Sequence, residues 1–468
     1  MPDNDATAGL ERLGYAQQLR RSMSLTDVVV FGLIYMVPMA PLAVFGVIFD
    51  FSAGQVALVY LVAAAAMVFS ALSYKEMALR YPVAGSVYSY VRMGLNDVVG
   101  FLSGWAILLD YLLLPALLSV FAATAMVSVV PVVPAWAWIV VFVALAVGIN
   151  LAGIAVTARM NMLFLVIQLA VLAVFVGWVL VDVARGRASF ALWPLYNSGS
   201  FSWSIVFGAI PVAALSFIGF DAISTLNEET RGGGRTVSKA TMIVLVAVTA
   251  LFCLQVYLAA CYVPRGTTFA PGDAENNAFY HIAGRAVGDW FRVVITLTSA
   301  LIAIFANSIA SAATSARLVF SMARDRQLPA ILATVSRRRQ VPQNALLFIA
   351  GLSLVVGIAG TAAQTLLTTL VTFGALTAYI LLHVAVFVRL GIRGRSRNVF
   401  LHWISPVVGA AALAYALVNA NRNAKIVGLA WLAVGVLVAL TFRYRARRRA
   451  PTAAAPDPEA RTAAVDER

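Results

Sequence analysis

Apolar residues run in long blocks along almost the whole chain, with short polar segments between them. The blocks fall near residues 25–48, 55–79, 95–127, 135–156, 160–183, 204–227, 237–262, 289–322, 344–358, 364–388, 401–418 and 426–442. Most are close to the ~20 residues a helix needs to cross about 30 Å of hydrocarbon. The pattern predicts an all-α membrane protein of about twelve transmembrane helices. Ser24 and Asp27 form an S-x-x-D capping box at the first. Residues 264–288 form the longest mixed-polarity loop and are expected to cap the outer mouth.

Two blocks are interrupted. The first carries Val37-Pro38-Met39-Ala40-Pro41 in its middle, and proline removes a helical donor and clashes with the preceding turn. The sixth carries Ser216-Phe217-Ile218-Gly219-Phe220-Asp221, where Gly219 weakens the helix. Unpaired backbone survives in hydrocarbon only where protein or a polar cavity satisfies it. One such break reads as an ordinary kink. Two at matching places in two halves of the chain point to a solute site.

Composition fits this picture. The 468 residues are 62% hydrophobic and 12% charged, too little charge to clothe a soluble fold of this length. A net charge of +14 raises nucleic acid as a partner, but the distribution removes it. Arg185, Arg187, Arg265, Arg285, Arg292, Arg422 and Lys425 fall on one set of loops. The other 27 of the 34 Lys and Arg, including Arg337, Arg338 and Arg339, fall on the opposite loops and the tails. The positive-inside rule then places both termini in the cytoplasm, with the chain in the plasma membrane. The basic cluster at 443–449 reads as a stop-transfer anchor near anionic lipid. Cys253 and Cys261 share one apolar block, so no disulfide is expected between them.

An ionised side chain at mid-bilayer costs at least ~2.5–3.5 kcal/mol, so acids at that depth need a reason. Asp110 lies about 15 residues into the third block, roughly 22 Å along a helix. Asp221 lies two residues past Gly219. Glu228 and Glu229 close the sixth block, either as a solvated end or as cytoplasmic gate residues. Tyr35, Trp105, Tyr111, Phe217, Phe220 and Tyr379 flank the acids in sequence, and aromatic faces attract cations where water is excluded. Trp136, Trp138, Trp193 and Trp203 fit an interfacial belt. Gly100 and Gly104 suggest close helix packing, and His383 suggests a hydrogen-bonded packing residue. The chain has no H-E-x-x-H, G-x-S-x-G or G-x-x-x-x-G-K-[ST] motif, so neither an enzyme nor an ATP-driven pump is expected. No cofactor or metal is expected. A non-transporting receptor is the remote alternative.

Several motifs carry a family resemblance over the full length. They are Ser73-Tyr74-Lys75-Glu76, Pro82-Val83-Ala84-Gly85-Ser86-Val87-Tyr88-Ser89-Tyr90, Ser216-Phe217-Ile218-Gly219-Phe220-Asp221-Ala222 ending in Glu228-Glu229-Thr230, and Ala323-Arg324-Asp325-Arg326-Gln327-Leu328-Pro329. The chain resembles the amino acid–polyamine–organocation superfamily. Gly32-Leu33-x-Tyr35-x-x-Pro38-Met39 and Leu108-Leu109-Asp110-Tyr111-Leu112-x-Leu114-Pro115 make it most similar to bacterial putrescine importers.

The resemblance implies inverted five-helix repeats at 24–184 and 203–393, two added helices at 399–443, and tails at 1–23 and 444–468. It implies a midplane site with Asp110 and Tyr111 on the third span, Ser216, Phe217, Gly219, Phe220 and Asp221 at the sixth, and Asn307 and Ser311 on the eighth. Tyr35, Pro38, Met39 and Tyr379 complete the candidate substrate-binding set. Pro38 and Pro41 have no N–H to offer a carboxylate. Two membrane acids suit a diamine, so a polyamine is preferred to an amino acid, which remains the alternative substrate. Some proton-coupled relatives carry Lys on span five, where this chain has Gln168. Asp221 is then the proton-coupling candidate, since burial penalises a carboxylate's charged form. Sodium coupling stays open, and a monomer or weak dimer is expected.

Overall fold

The computed structural model describes residue 16 and residues 18–129, 132–270, 273–336, 340–362, 364–418 and 422–449. Arg337, Arg338 and Arg339 and the tail 450–468 lie outside the described residues, as does most of the stretch before residue 18. For the basic cluster at 443–449 only the helical backbone is described.

The helices in chain order are α1 (Leu25–Met36), α2 (Phe45–Phe51), α3 (Val56–Arg80), α4 (Ser86–Gly94), α5 (Asp97–Val129), α6 (Ala135–Ala152), α7 (Ile154–Ala184), α8 (Trp203–Phe217) and α9 (Gly233–Ala260). They continue as α10 (Asp273–Asn276), α11 (Ala278–Val287), α12 (Asp289–Leu297), α13 (Ile304–Arg324), α14 (Gln343–Ala359), α15 (Gln364–Val386), α16 (Ser405–Val418) and α17 (Arg422–Arg449). Among the described residues the only strand-like pairing is an isolated bridge between Met23 and Thr230. Among the described residues eight helical segments are long and apolar enough to cross a bilayer, and Gln343–Ala359 and Lys425–Leu440 are shorter apolar helices.

Burial sorts these helices. α5 is buried along 78% of its apolar window, against 22% for α6 and 33% for α7. Apolar helices that expose most of their surface suit a lipid surround, whereas α5 forms the protein's own core. α15 packs along α5. Gly374 permits that approach, since a Cβ there would lie 2.7 Å from Leu109 Cβ and 3.2 Å from the Asp110 amide nitrogen. The capping box at Ser24 is present, with Ser24 donating to Asp27 at 2.7 Å.

Some boundaries differ from the sequence reading. The fourth block stops at Ala152 because Gly153 turns the chain at φ 110, and α7 begins at once. A π-helical turn at Thr298–Ala303 divides α12 from α13. Helix α4 was not expected, because nine residues fall below any membrane-span window. Gly100 lets it lie on α5: a Cβ there would meet the Arg92 main-chain nitrogen at 2.9 Å. Trp193 is buried against Phe49 (centroids 5.8 Å), so it does not belong to an interfacial belt. Trp136 and Trp203 are more than half exposed, as a belt requires. Residues 264–288 contribute α10 and α11, which pack on α2, with Phe279 set edge-on to Phe45 at 5.6 Å. Both cysteines are free.

Candidate functional site

Both expected breaks are present. α1 stops at Met36, Val37 takes φ 52, and the chain turns through Pro38 and Met39 into a short 3-10 helix, Ala40–Ala43. The reason is local. Pro38 and Pro41 have no N–H for the carbonyls of Ile34 and Val37. The preceding residues serve those carbonyls instead: Val37 N–H donates to Ile34 O at 3.2 Å and Ala40 N–H to Val37 O at 2.8 Å. The Pro38 carbonyl is taken by Gln255 Nε2, reaching in from α9 at 3.0 Å.

α8 stops at Phe217, and Gly219 takes φ 121 and ψ −13, a conformation L side chains rarely adopt. The chain resumes as a 3-10 helix at Phe220–Leu226. The breaks abut. A Cβ on Gly219 would lie 2.5 Å from Cδ1 and 2.9 Å from Cε1 of Tyr35. On one side of them the chain is sewn together by main-chain bonds. Ser22 N–H and Met23 N–H each donate to Glu229 O at 3.0 Å, and Arg231 N–H donates to Met23 O at 3.0 Å.

Asp221 lies in the first turn of the resumed helix and is fully buried. Tyr111 of α5 donates its hydroxyl to one carboxylate oxygen, and Tyr379 of α15 donates to the other at 2.5 Å. Asp110, also fully buried, differs: neither carboxylate oxygen has a hydrogen-bond partner among the described residues. It lies within electrostatic reach of Asp221, and Tyr35 lies within reach of both. The Tyr35 hydroxyl likewise has no partner among those residues. Tyr74 sits edge-on to Phe220 at 5.5 Å and to Tyr379 at 5.6 Å. Phe217 packs on Tyr60 and Phe252, with Tyr60 hydroxyl 3.0 Å from Ser216 Oγ. Two carboxylates, phenol hydroxyls and aromatic rings in a buried core suit a cation better than an anion.

Asp110, Tyr111, Asp221, Tyr379, Tyr35, Gly219, Ser216, Phe217 and Phe220 thus occupy one buried region. Pro38 and Met39 are buried in the turn that follows Tyr35. Asn307 is buried on α13 with its amide oxygen unpartnered among the described residues, and Ser311 Oγ donates within its own helix to Ser308 O at 3.2 Å. Gln168 is buried with both amide atoms likewise unpartnered. Trp105 is not part of the site. It stacks on Trp431 of α17 at 4.5 Å, and each indole N–H donates to the other residue's carbonyl, at 2.9 and 2.7 Å. His383 packs between Ser70 and Ser73 Oγ at 3.0 and 2.9 Å, as the sequence suggested.

Glu228 and Glu229 are buried, which excludes the solvated-end reading. Arg324 grips Glu228 through both Nη atoms at 2.9 and 2.8 Å, and Ala84 N–H adds a third bond at 3.0 Å. Arg317 grips Glu229 through Nε and Nη2. Asp325 receives Arg92 at 2.5 Å and Tyr88 hydroxyl at 2.9 Å. Sequence reasoning missed Arg317, Gln255, Tyr60 and Tyr74 as members of this assembly. Arg317 had a signal available, a charge inside the eighth apolar block. No group of three or more His, Cys, Asp and Glu among the described residues could hold a metal.

The model of the amino acid permease family matches residues 22–442. A low-affinity putrescine importer of Escherichia coli is 30% identical, covering 90% of this chain and 93% of that protein. A branched-chain amino acid permease of Bacillus subtilis is 26% identical, covering 81% of this chain and 83% of its own length. A methylthioribose transporter of the same bacterium is 24% identical, covering 90% and 93%.

Proposed function

The chain belongs to the amino acid permease family and is a multi-pass membrane transporter, and on that premise we propose that it imports putrescine or a similar short polyamine. The observation that carries this reading is the unequal pair of buried acids. Asp221 already has a phenol hydrogen on each oxygen, whereas both oxygens of Asp110 lack a donor among the described residues. An ammonium group supplies donors and a compensating charge together. Asp110 is the first anchor, and Asp221 receives the second ammonium as it exchanges phenol donors for an amine. Tyr35, Tyr111 and Phe217 line the path between them.

The cycle is alternating access in the plasma membrane, with about twelve spans, inverted repeats at 24–184 and 203–393, and both termini cytoplasmic. The lysines and arginines concentrated on one set of loops support that orientation. The Glu228–Arg324 and Glu229–Arg317 pairs are then a closed cytoplasmic gate. Coupling to a proton or sodium gradient completes the reading, and the dependence of uptake on external pH and sodium assigns it.

Labelled putrescine uptake by reconstituted protein is the test. Asp110→Asn should reduce uptake at least tenfold, the effect of losing about 1.4 kcal/mol of binding, at unchanged expression. Wild-type uptake in that variant removes Asp110 from the site. Competition separates the sibling substrate: uptake blocked by branched-chain amino acids and untouched by diamines replaces the polyamine reading. Binding without flux replaces transport.

A further inference from the structure

Helix α5 carries a proline at position 115. In an α-helix the N–H of residue 115 would serve the carbonyl of residue 111, and proline has none. Tyr111 is fully buried, so its carbonyl has no recourse to water.

The missing donor arrives from a different helix. Ser315 of α13, 204 positions later in the chain, donates its hydroxyl to the Tyr111 carbonyl. The same hydroxyl is also 2.8 Å from the Ser311 carbonyl. It has one hydrogen, so the two acceptors compete. Ser311 already has its regular helical partner, the main-chain N–H of Ser315. The Tyr111 carbonyl has lost its own to Pro115, and the hydrogen is needed there.

We propose that Ser315 is a positioning residue for substrate recognition: it fills the hydrogen bond that Pro115 deletes, and so fixes the turn that presents Tyr111 to Asp221 and Asp110 to the incoming amine. Tyr111 is thereby held at both ends, its carbonyl by α13 and its hydroxyl by Asp221. On another side of α5, Gly374 sets α15 against Leu109 and the Asp110 amide. The turn at 109–111 is clamped between two helices. This inference rests on the proposed function only for what Asp110 and Tyr111 grip. The exchange between Pro115 and Ser315 is independent of the substrate.

The test is a double-mutant cycle on the full-length protein, with Ser315→Ala, Pro115→Ala and the pair. Alanine at 115 restores the main-chain N–H. Ser315→Ala should raise KM for labelled putrescine about tenfold, the scale of one lost buried hydrogen bond, with maximal rate within about twofold. In the Pro115→Ala background the same change should leave KM within about twofold, because the Tyr111 carbonyl then has its helical donor. Ser315→Thr, which keeps the hydroxyl, should retain wild-type KM. Equal KM defects of Ser315→Ala in both backgrounds overturn the proposal, as does a wild-type KM in the single variant. Melting of the four purified proteins without substrate reads the hydrogen bond alone, and additive losses there refute the exchange. If the wild-type protein takes up no putrescine, the amine reading fails, and the melting cycle still decides whether Ser315 substitutes for the missing N–H.

Discussion

Replacing Gly219 by alanine tests the junction of the two breaks. Gly219 holds φ 121 and ψ −13, and a non-glycine residue forced into so sparse a region costs about 1–3 kcal/mol. The new methyl would also lie 2.5 and 2.9 Å from two ring carbons of Tyr35. Tyr35 is itself buried, and crowding of a packed core typically adds about 1–3 kcal/mol. Together these give about 2–6 kcal/mol against the native junction. At about 1.4 kcal/mol per tenfold, even the low end corresponds to a shift of more than tenfold toward a displaced Tyr35 or a reshaped turn. Gly177→Ala is the control: Gly177 sits on exposed α7 with nothing within 4 Å of an added Cβ. The assay pairs putrescine uptake kinetics with thermal melting in detergent. Gly219→Ala should lose at least tenfold in uptake efficiency and melt several degrees lower, while Gly177→Ala keeps both. Wild-type kinetics and melting for Gly219→Ala would refute the reasoning that this glycine is required by conformation and contact.

Three further outcomes are expected. Gln255→Leu leaves the Pro38 carbonyl without its donor, so the protein should lose about 1–3 kcal/mol of stability, read as a lower melting temperature. Glu229→Gln strands the buried Arg317 charge and should destabilise by about 3–5 kcal/mol, while Glu229→Gln with Arg317→Gln recovers most of the loss in the same melting assay. Gly374→Val should raise KM more than it lowers maximal rate in uptake kinetics, because its side chain enters the space of Leu109 and the Asp110 amide.

Helix positions were legible in the sequence because lipid imposes a length filter that most of the apolar blocks meet one by one. The breaks were legible because Pro38 and Gly219 act on their own backbone. The depth of Asp110 and Asp221 was legible because charge inside an apolar run is a local anomaly. Pairing was not. Nothing near Asp221 in sequence says that Tyr111 and Tyr379 donate to it, since those contacts join residues more than a hundred positions apart, and nothing near Asp110 says that no donor among the described residues reaches it. Trp105 shows the same limit. Five residues from Asp110 on one helix, it faces a different neighbour, because a helix turns about 100° per residue and sequence proximity does not fix a shared face. For Glu228 and Glu229 the sequence left a solvated end and a gate both open, because their arginines arrive from α13.

Residues 22–23 are joined to 229–231 by three main-chain bonds, beside which Arg21 Nη1 donates to the Thr230 carbonyl at 3.1 Å. The main-chain bonds do not depend on the side chains at 22 and 231, although Met23 also packs in the core. What this seam does not tolerate is a change of covalent register or the loss of an amide hydrogen. An insertion between Met23 and Ser24, or proline at 22, 23 or 231, would uncouple the two interrupted helices at that end, even though every residue lining the solute site stayed in place.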